Sequence, residues 1–222
     1  LGASAPVTLA GCIAQATAES LSGLVIHQLR NPGAPFVFGA DATIMDMHTT
    51  IFAYGAPELQ IIDIAFADLA HYYGLPLFCI GGATDSKVLD AQAGAEMCAA
   101  LLVSAWNGCN LIHDVGYLES GLCSSIESIA MANEVIGMVK RYIAGFEISD
   151  ETLALDTIDA VGHEKDFLGE PHTLDNFKRE VWFPACFDRR RYDAWAEAGS
   201  EPVDAALRRK ALEAMAAAKP PS

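Results

Sequence analysis

The chain has 222 residues, of which 52% are hydrophobic and 19% charged, and a formal net charge of −15. That hydrophobic share supports a packed core and excludes wholesale disorder. The acidic balance excludes a nucleic-acid-binding face, which needs clustered Lys and Arg, and no run approaches about 18 uninterrupted apolar residues, so no membrane span is expected.

The charge is unevenly placed: residues 1–177 carry 5 Lys and Arg against 22 Asp and Glu, whereas 178–222 carry 9 against 7. The acidic part suits a cationic substrate or partner, or a solvated surface. Six cysteines (Cys12, Cys79, Cys98, Cys109, Cys123, Cys186) contain no Cys-x-x-Cys and sit mostly in apolar stretches, which predicts buried free thiols in a reducing cytoplasm. The chain opens at Leu1-Gly2 with no basic leader region, so a trimmed or truncated start is expected.

Four apolar runs, each followed by a helical pattern, organise residues 1–146. Pro6–Ala10 reads as a strand leading to a helix over about 17–30, stopped by Asn31-Pro32-Gly33. Phe36–Gly39 is the second run; after a long loop, Pro57-Glu58 opens a helix whose Leu59, Ile62, Phe66, Leu69 and Tyr73 share one face. Pro76–Ile80, stopped by Gly81-Gly82, precedes a helix over about 86–106, with Thr84, Asp85 or Ser86 as its cap. Asn110–Asp114 precedes a helix over about 124–144, capped by Ser124 or Ser125. The runs begin near 6, 35, 76 and 110, the spacing of βα units, so the strands should be parallel and covered by helices.

Four such units are half of a (β/α)8 barrel, and no Gly-x-Gly-x-x-Gly supports a dinucleotide fold. The expected architecture is therefore α/β, the C-terminal half of a TIM barrel over 1–146, followed by a helical and irregular extension over 147–222. In that extension Ser149–Thr152 caps a helix over 150–161, Phe167, Phe177, Trp182 and Phe183 are packing anchors, 203–218 is helical, and Lys219-Pro220-Pro221-Ser222 should fray.

In a barrel, reactive groups gather on the loops after the strands. The loop Asp41–Tyr54 is long, and Asp46 and His48 would point the same way if extended; the alternative is a loop packed by Met45 and Met47. Gly81, Gly82 and Ser86 could cradle a phosphate or cofactor group at a helix start, although Asp85 would repel an anion and the segment could simply cap the helix. His113-Asp114 closes the fourth strand, with Tyr117, Glu119 and Ser120 beyond; a buried structural histidine is the alternative. His27 and His71 read as structural, and no His-x-x-x-His or Cys-x-x-Cys supports a metal site.

Three segments, Gly55-Ala56-Pro57-Glu58, Thr84-Asp85-Ser86-Lys87 through Asp90-Ala91-Gln92-Ala93-Gly94-Ala95-Glu96, and Ser128 through Asn133-Glu134, together resemble the trimethylamine methyltransferase (MttB-like) family. The likeness covers most of 1–180 and is most specific at Asp-Ser-Lys…Asp-x-Gln-Ala-Gly. It implies a TIM barrel of about twice this length, hence an absent N-terminal half. It also implies a cytoplasmic enzyme that moves a methyl group from a methylated amine to the cobalt of a partner corrinoid protein, with no cofactor held tightly by this chain.

Archaeal trimethylamine enzymes of that family carry pyrrolysine, whereas every position here is an ordinary amino acid. The resemblance therefore points to relatives that use quaternary amines such as betaines. A quaternary ammonium already has a neutral leaving group, so the protein must orient it and exclude water. Phe38, Phe52, Tyr54 and Tyr117 with Asp85 and Glu119 are the candidate substrate contacts. His113, Asp46 and His48 are the candidate catalytic residues, His113 orienting a substrate carboxylate or meeting the corrinoid, and Gly81, Gly82 and Ser86 are the candidate cofactor contacts. The alternatives are a metal-dependent barrel lyase or aldolase, or a non-catalytic betaine-binding module. The open edges of a half barrel predict a homo-oligomer or association with the missing half.

Overall fold

A computed structural model describes residues 1–218; the expectation for 219–222 lies outside the described residues. The first apolar run is not a strand. Thr8 is extended and Leu9 already begins α1 (Leu9–Arg30). The small residues Ala10, Gly11 and Cys12 continue a helical spacing in which Leu9, Cys12, Ile13 and Ala16 pack toward Ile62, Phe66 and Ala70. Among the described residues α1 is the one helix long and apolar enough to cross a membrane by length and composition; its inner face, however, lies against α2 (Pro57–Tyr73).

The other three runs lie side by side. Phe38 bridges Leu77 in parallel, donating its N–H to Pro76 O at 2.7 Å and accepting that of Phe78 at 3.0 Å. The strands β3 (Phe78–Ile80) and β4 (Leu111–His113) then pair in parallel, with Ile80 opposite His113. The helices α2, α3 (Ala91–Trp106) and α4 (Ile126–Ala144) follow the three runs in turn. The fold is thus mixed α/β with parallel strands joined through helices, as the spacing predicted, with three aligned runs instead of four.

Helix ends follow from local chemistry. Pro57 occupies the first turn of α2 and Gly74, at φ +65°, closes it, while Leu59, Ile62 and Phe66 are buried as the periodicity required. Helix α3 starts at Ala91 because the Asp90 carboxylate, not Thr84, Asp85 or Ser86, accepts the Ala93 N–H at 3.0 Å. Ser125 and Ser128 form a reciprocal capping box at α4.

The loop after Phe38 folds into an antiparallel hairpin, β1 (Ile44–Met45) and β2 (Phe52–Ala53). The loop after β4 forms another, β5 (Tyr117–Leu118) and β6 (Cys123–Ser124), around a short turn at Glu119–Gly121.

Beyond Gly145 the described elements are helices: α5 (Asp150–Leu153), α6 (Leu155–Val161), α7 (Pro171–Glu180), α8 (Tyr192–Glu197) and α9 (Val203–Ala217). The single helix expected over 150–161 is broken where Ala154 adopts φ +52°. Helix α9 returns to α4, burying Ala206 and Leu207. Of the four aromatic anchors Trp182 packs against Gly137 of α4, and Phe177 and Phe183 meet each other edge to face at 6.2 Å, while Phe167, Phe177 and Phe183 remain substantially exposed. The buried Glu134 tethers the crossing segment by accepting the N–H groups of Cys186 and Phe187 at 2.9 and 3.2 Å. Contrary to the expectation of free thiols throughout, Cys79 and Cys109 form a disulfide.

Candidate functional site

The C-terminal ends of the three parallel runs meet at one edge. Past β3 the chain stays zipped to the chain past β4: Gly81 N–H donates to His113 O at 3.0 Å, Gly116 to Gly82 O at 3.0 Å, Thr84 to Tyr117 O at 3.1 Å and Ser120 to Thr84 O at 3.0 Å. This close approach is what the glycines serve. A Cβ on Gly81 would overlap Ile112, and Gly82 sits at φ +89°. Both are spacers between strand ends, which argues against their expected role as cofactor contacts. Ser86 is buried too, its hydroxyl lying 2.9 Å from both Val88 O and Asp90 Oδ1, which share its one proton. With the helix starting at Ala91, the anion cradle expected at 81–86 does not form.

Behind this ledge stands Glu96 of α3. Its Oε2 accepts the Thr84 hydroxyl and the Asp85 N–H, and its Oε1 accepts from Gln92 at 2.8 Å. The ledge presents Asp85, whose Oδ1 accepts the Tyr54 N–H at 2.8 Å and the Ser120 hydroxyl at 2.6 Å. Asp85 thereby joins the loops that follow all three parallel runs.

His113 ends β4, half-buried against Phe78 with ring centroids 5.4 Å apart. Its Nδ1 lies 3.2 Å from Asp114 Oδ1 and its Nε2 3.8 Å from Asp41 Oδ1, while Nε2 itself is buried without a hydrogen-bond partner. Asp114 adopts φ +60°, unusual for a non-glycine residue and a form of backbone strain that often marks functional positions. Burial raises the Asp41 carboxyl above its ordinary range; His113 opposes that shift and Asp114 adds to it. Burial, then Asp41 and Asp114, raise the Tyr54 phenol.

Asp41 and Tyr54, with Phe52, line a cavity of about 380 Å³. The Phe52 and Tyr54 rings are 5.3 Å apart, and a Cβ on Gly121 would sit 3.5 Å from the Tyr54 ring, so the hairpin after β4 closes against that wall. Tyr117 and Glu119 lie exposed on that hairpin and its turn, with the Glu119 N–H bonded to Ser86 O at 2.8 Å.

Three expected site residues are placed elsewhere. Phe38 is fully buried among Phe66 and Tyr73, so its ring offers no surface to a ligand. Asp46 and His48 do not extend toward His113: Asp46 turns the hairpin on itself, accepting the His48 N–H at 2.8 Å and the Thr49 hydroxyl at 3.0 Å. These local bonds hold the exposed Asp46 carboxyl below its ordinary range.

Conversely, sequence reasoning passed over Asp41, Asp63, Glu96 and Asp114 as site residues. Asp63 had a readable signal, a carboxylate on the apolar face between Leu59 and Phe66 of α2. Asp41 had a weaker one, its position just beyond a strand end. Among the described residues, no group of three or more His, Cys, Asp or Glu side chains converges as a metal-ligand set.

The fold and the site together define an α/β protein whose strand ends carry carboxylates, a histidine and an aromatic wall, with Lys87 the one Lys or Arg on the loops that form them. The chain belongs to the trimethylamine methyltransferase (MTTB) family, whose model matches residues 1–222. It is 38% identical over 217 residues to trimethylamine methyltransferase MttB of Methanosarcina thermophila, covering 96% of this chain and 44% of that protein. It is 36% identical over 197 residues to glycine betaine methyltransferase of Desulfitobacterium hafniense strain Y51, covering 88% and 41% respectively. The chain thus spans less than half the length of these curated relatives.

Proposed function

We propose that this chain is the catalytic C-terminal part of an enzyme that transfers a methyl group from a methylated, quaternary amine to the Co(I) of a corrinoid carried by a partner protein. The observation that carries the reading is the wall of Phe52 and Tyr54 beside Asp41, a combination of π-faces and carboxylate suited to a quaternary ammonium head. Family membership supports methyl transfer from methylated amines.

In this reading residues 1–146 form half of a TIM barrel and 147–222 its helical extension, in a cytoplasmic protein that self-associates or pairs with the other half of the barrel. The exposed Phe52, Tyr117 and Leu122 fit the flat apolar face of a corrinoid presented to the strand ends. When bound, the corrinoid supplies the nucleophile, so no protein base is needed. Asp41 and the two rings hold the ammonium, and Asp85 fixes the wall by binding the Tyr54 backbone. His113 acts from the strand end. As the C–N bond breaks, the electron pair stays on nitrogen and a neutral tertiary amine leaves.

The test adds candidate quaternary amines and trimethylamine in turn to the protein with cob(I)alamin, under anaerobic reducing conditions. Methylcobalamin formation, followed by absorbance, with one quaternary amine is the expected result. No methylcobalamin from any donor, even with corrinoid proteins supplied, would overturn the reading.

A further inference from the structure

Asp63 is a buried ionisable group that neither the proposed mechanism nor the packing described above uses. It is 5% exposed, and its Oδ2 has no hydrogen-bond partner. Its position on α2 decides what it faces. Leu59, one turn earlier on the same face, packs against Tyr54, while Ile62 and Phe66 belong to the cluster that Ala40 and Ala42 join on either side of Asp41. Asp63 therefore lies, outside the lining itself, on the stretch of α2 packed toward Asp41 and Tyr54, two of the residues that line the cavity.

A lone carboxylate in such a place is costly, and the group keeps its proton instead: burial first, then the Asp41 charge, push its pKa up to about 8. The elements packed against α2 bring Cys12, Glu19, His27 and Arg30 on α1 and Glu96 and Cys98 on α3. The strand-end loops bring Asp41, Tyr54, His113 and Asp114. Asp41 is the charge that bears on Asp63, and among the described residues no Lys or Arg counters it.

We infer that Asp63 is a charge-sensing residue of the cavity, neutral when the cavity is empty and giving up its proton to solvent when a small permanently cationic ammonium seats against Asp41 and Tyr54. The reasoning is electrostatic linkage. A cation on the far side of Asp41 favours the ionised form of Asp63, and by reciprocity ionised Asp63 tightens the cation. One O–H bond breaks, the electron pair stays on the carboxylate, and the buffer takes the proton. The site thereby rewards positive charge as such: an uncharged isostere of equal shape gains nothing from Asp63. This rests on the proposed amine site and adds to it a residue that no ligand atom touches, a positioning residue acting through Asp41.

The test titrates tetramethylammonium into the 222-residue protein by calorimetry at pH 7, in phosphate and in Tris. The expected result is a binding enthalpy that differs between the buffers by the heat of a released fraction of a proton, and an affinity that rises roughly tenfold between pH 6 and pH 8. Asp63→Asn should bind with buffer-independent enthalpy and a flatter pH profile. An infrared difference spectrum of the wild-type protein, needing no variant, should show a protonated-carboxyl band lost on adding tetramethylammonium, and none lost with tert-butanol.

Binding without proton release, or release that persists in Asp63→Asn, would overturn this inference and leave the amine-site reading standing. No binding of the cation at any pH would overturn both.

Discussion

Glu96 accepts the backbone N–H of Asp85 at 2.8 Å, and it reaches that position only because Gly55 has no side chain. A Cβ on Gly55 would overlap the Glu96 carboxylate. Two residues 41 positions apart, one just before α2 and the other within α3, thus fix the ledge from which Asp85 binds the Tyr54 backbone and the Ser120 hydroxyl. The aromatic wall of the cavity is held in place from behind.

Gly55→Ala should accordingly damage the site more than an exposed Gly→Ala change, since the clash displaces a carboxylate with three hydrogen-bonding partners. Glu96→Ala leaves the Thr84 hydroxyl and Asp85 N–H unsatisfied, at a cost of about 1–3 kcal/mol for a buried group. Glu96→Gln keeps the acceptor oxygen and should recover part of that. Denaturant unfolding and tetramethylammonium affinity measured on all three variants check the order: Gln mildest, with Ala and Gly55→Ala losing both stability and binding.

Asp63 makes a separate prediction for stability. Its folded-state pKa, near 8, lies above the unfolded value near 3.8. The folded chain therefore binds the proton more tightly, and this contribution is fully present below about pH 4 and lost as pH rises toward 8. Asp63→Asn, which mimics the neutral form, removes that loss. It should match wild type near pH 4 and become more stable by on the order of 2 kcal/mol at pH 8, given 1.36 kcal/mol per pKa unit and compensation by relaxation. Urea midpoints across this range provide the check, and a constant difference would contradict it.

The proposed role of the aromatic wall in holding a cation is tested by Phe52→Ala. Phe52 is 46% exposed, so its loss should disturb folding little. Removing one ring from the pair with Tyr54 should weaken tetramethylammonium binding by about 0.5–1 kcal/mol, roughly twofold to fivefold. Phe38→Ala offers the contrast. That ring is fully buried, and its removal should cost about 3–5 kcal/mol of stability, visible in thermal unfolding, without any direct ligand contact to lose.

These two phenylalanines show what was legible in the sequence. Apolar runs at βα spacing located three parallel segments and the helices between them because periodicity reports burial. Pro6–Ala10 failed because a short apolar run reads equally as strand or helix, and its small residues favoured the helix. Local chemistry found the Ser149 cap and narrowed the α4 cap to Ser124 or Ser125, of which Ser125 serves, but it placed the α3 cap at Thr84, Asp85 or Ser86, four to six residues before Asp90, since these residue types cap alike and only tertiary contacts choose between them. The strand ends were legible as a location, and the structure does bring His113, Tyr54 and Asp85 to them. Asp46 and His48 read as a pair by spacing, but spacing does not report whether a loop extends or folds on itself. The partnership of Asp41 with His113 joins residues 72 positions apart, a relation that no local pattern encodes.

His113 is the residue on which fold and activity should separate. Its ring contributes one aromatic contact, to Phe78, and its nitrogens stand between Asp41 and Asp114. His113→Ala should thus lower stability by about 1 kcal/mol through the lost ring contact. It should also raise the Asp41 carboxyl further, because the histidine is what opposes burial and Asp114 there. A carboxyl raised further takes up its proton at a higher pH than in the wild type, so on acidification the variant should lose tetramethylammonium affinity earlier than the wild type does. Methyl transfer to cob(I)alamin should fall by about tenfold or more, with circular dichroism nearly unchanged and the unfolding midpoint lowered only by what about 1 kcal/mol accounts for. Wild-type turnover in His113→Ala would remove the histidine from the mechanism, whereas loss of turnover that higher pH restores together with binding would place its role at Asp41, in holding the charge that holds the amine.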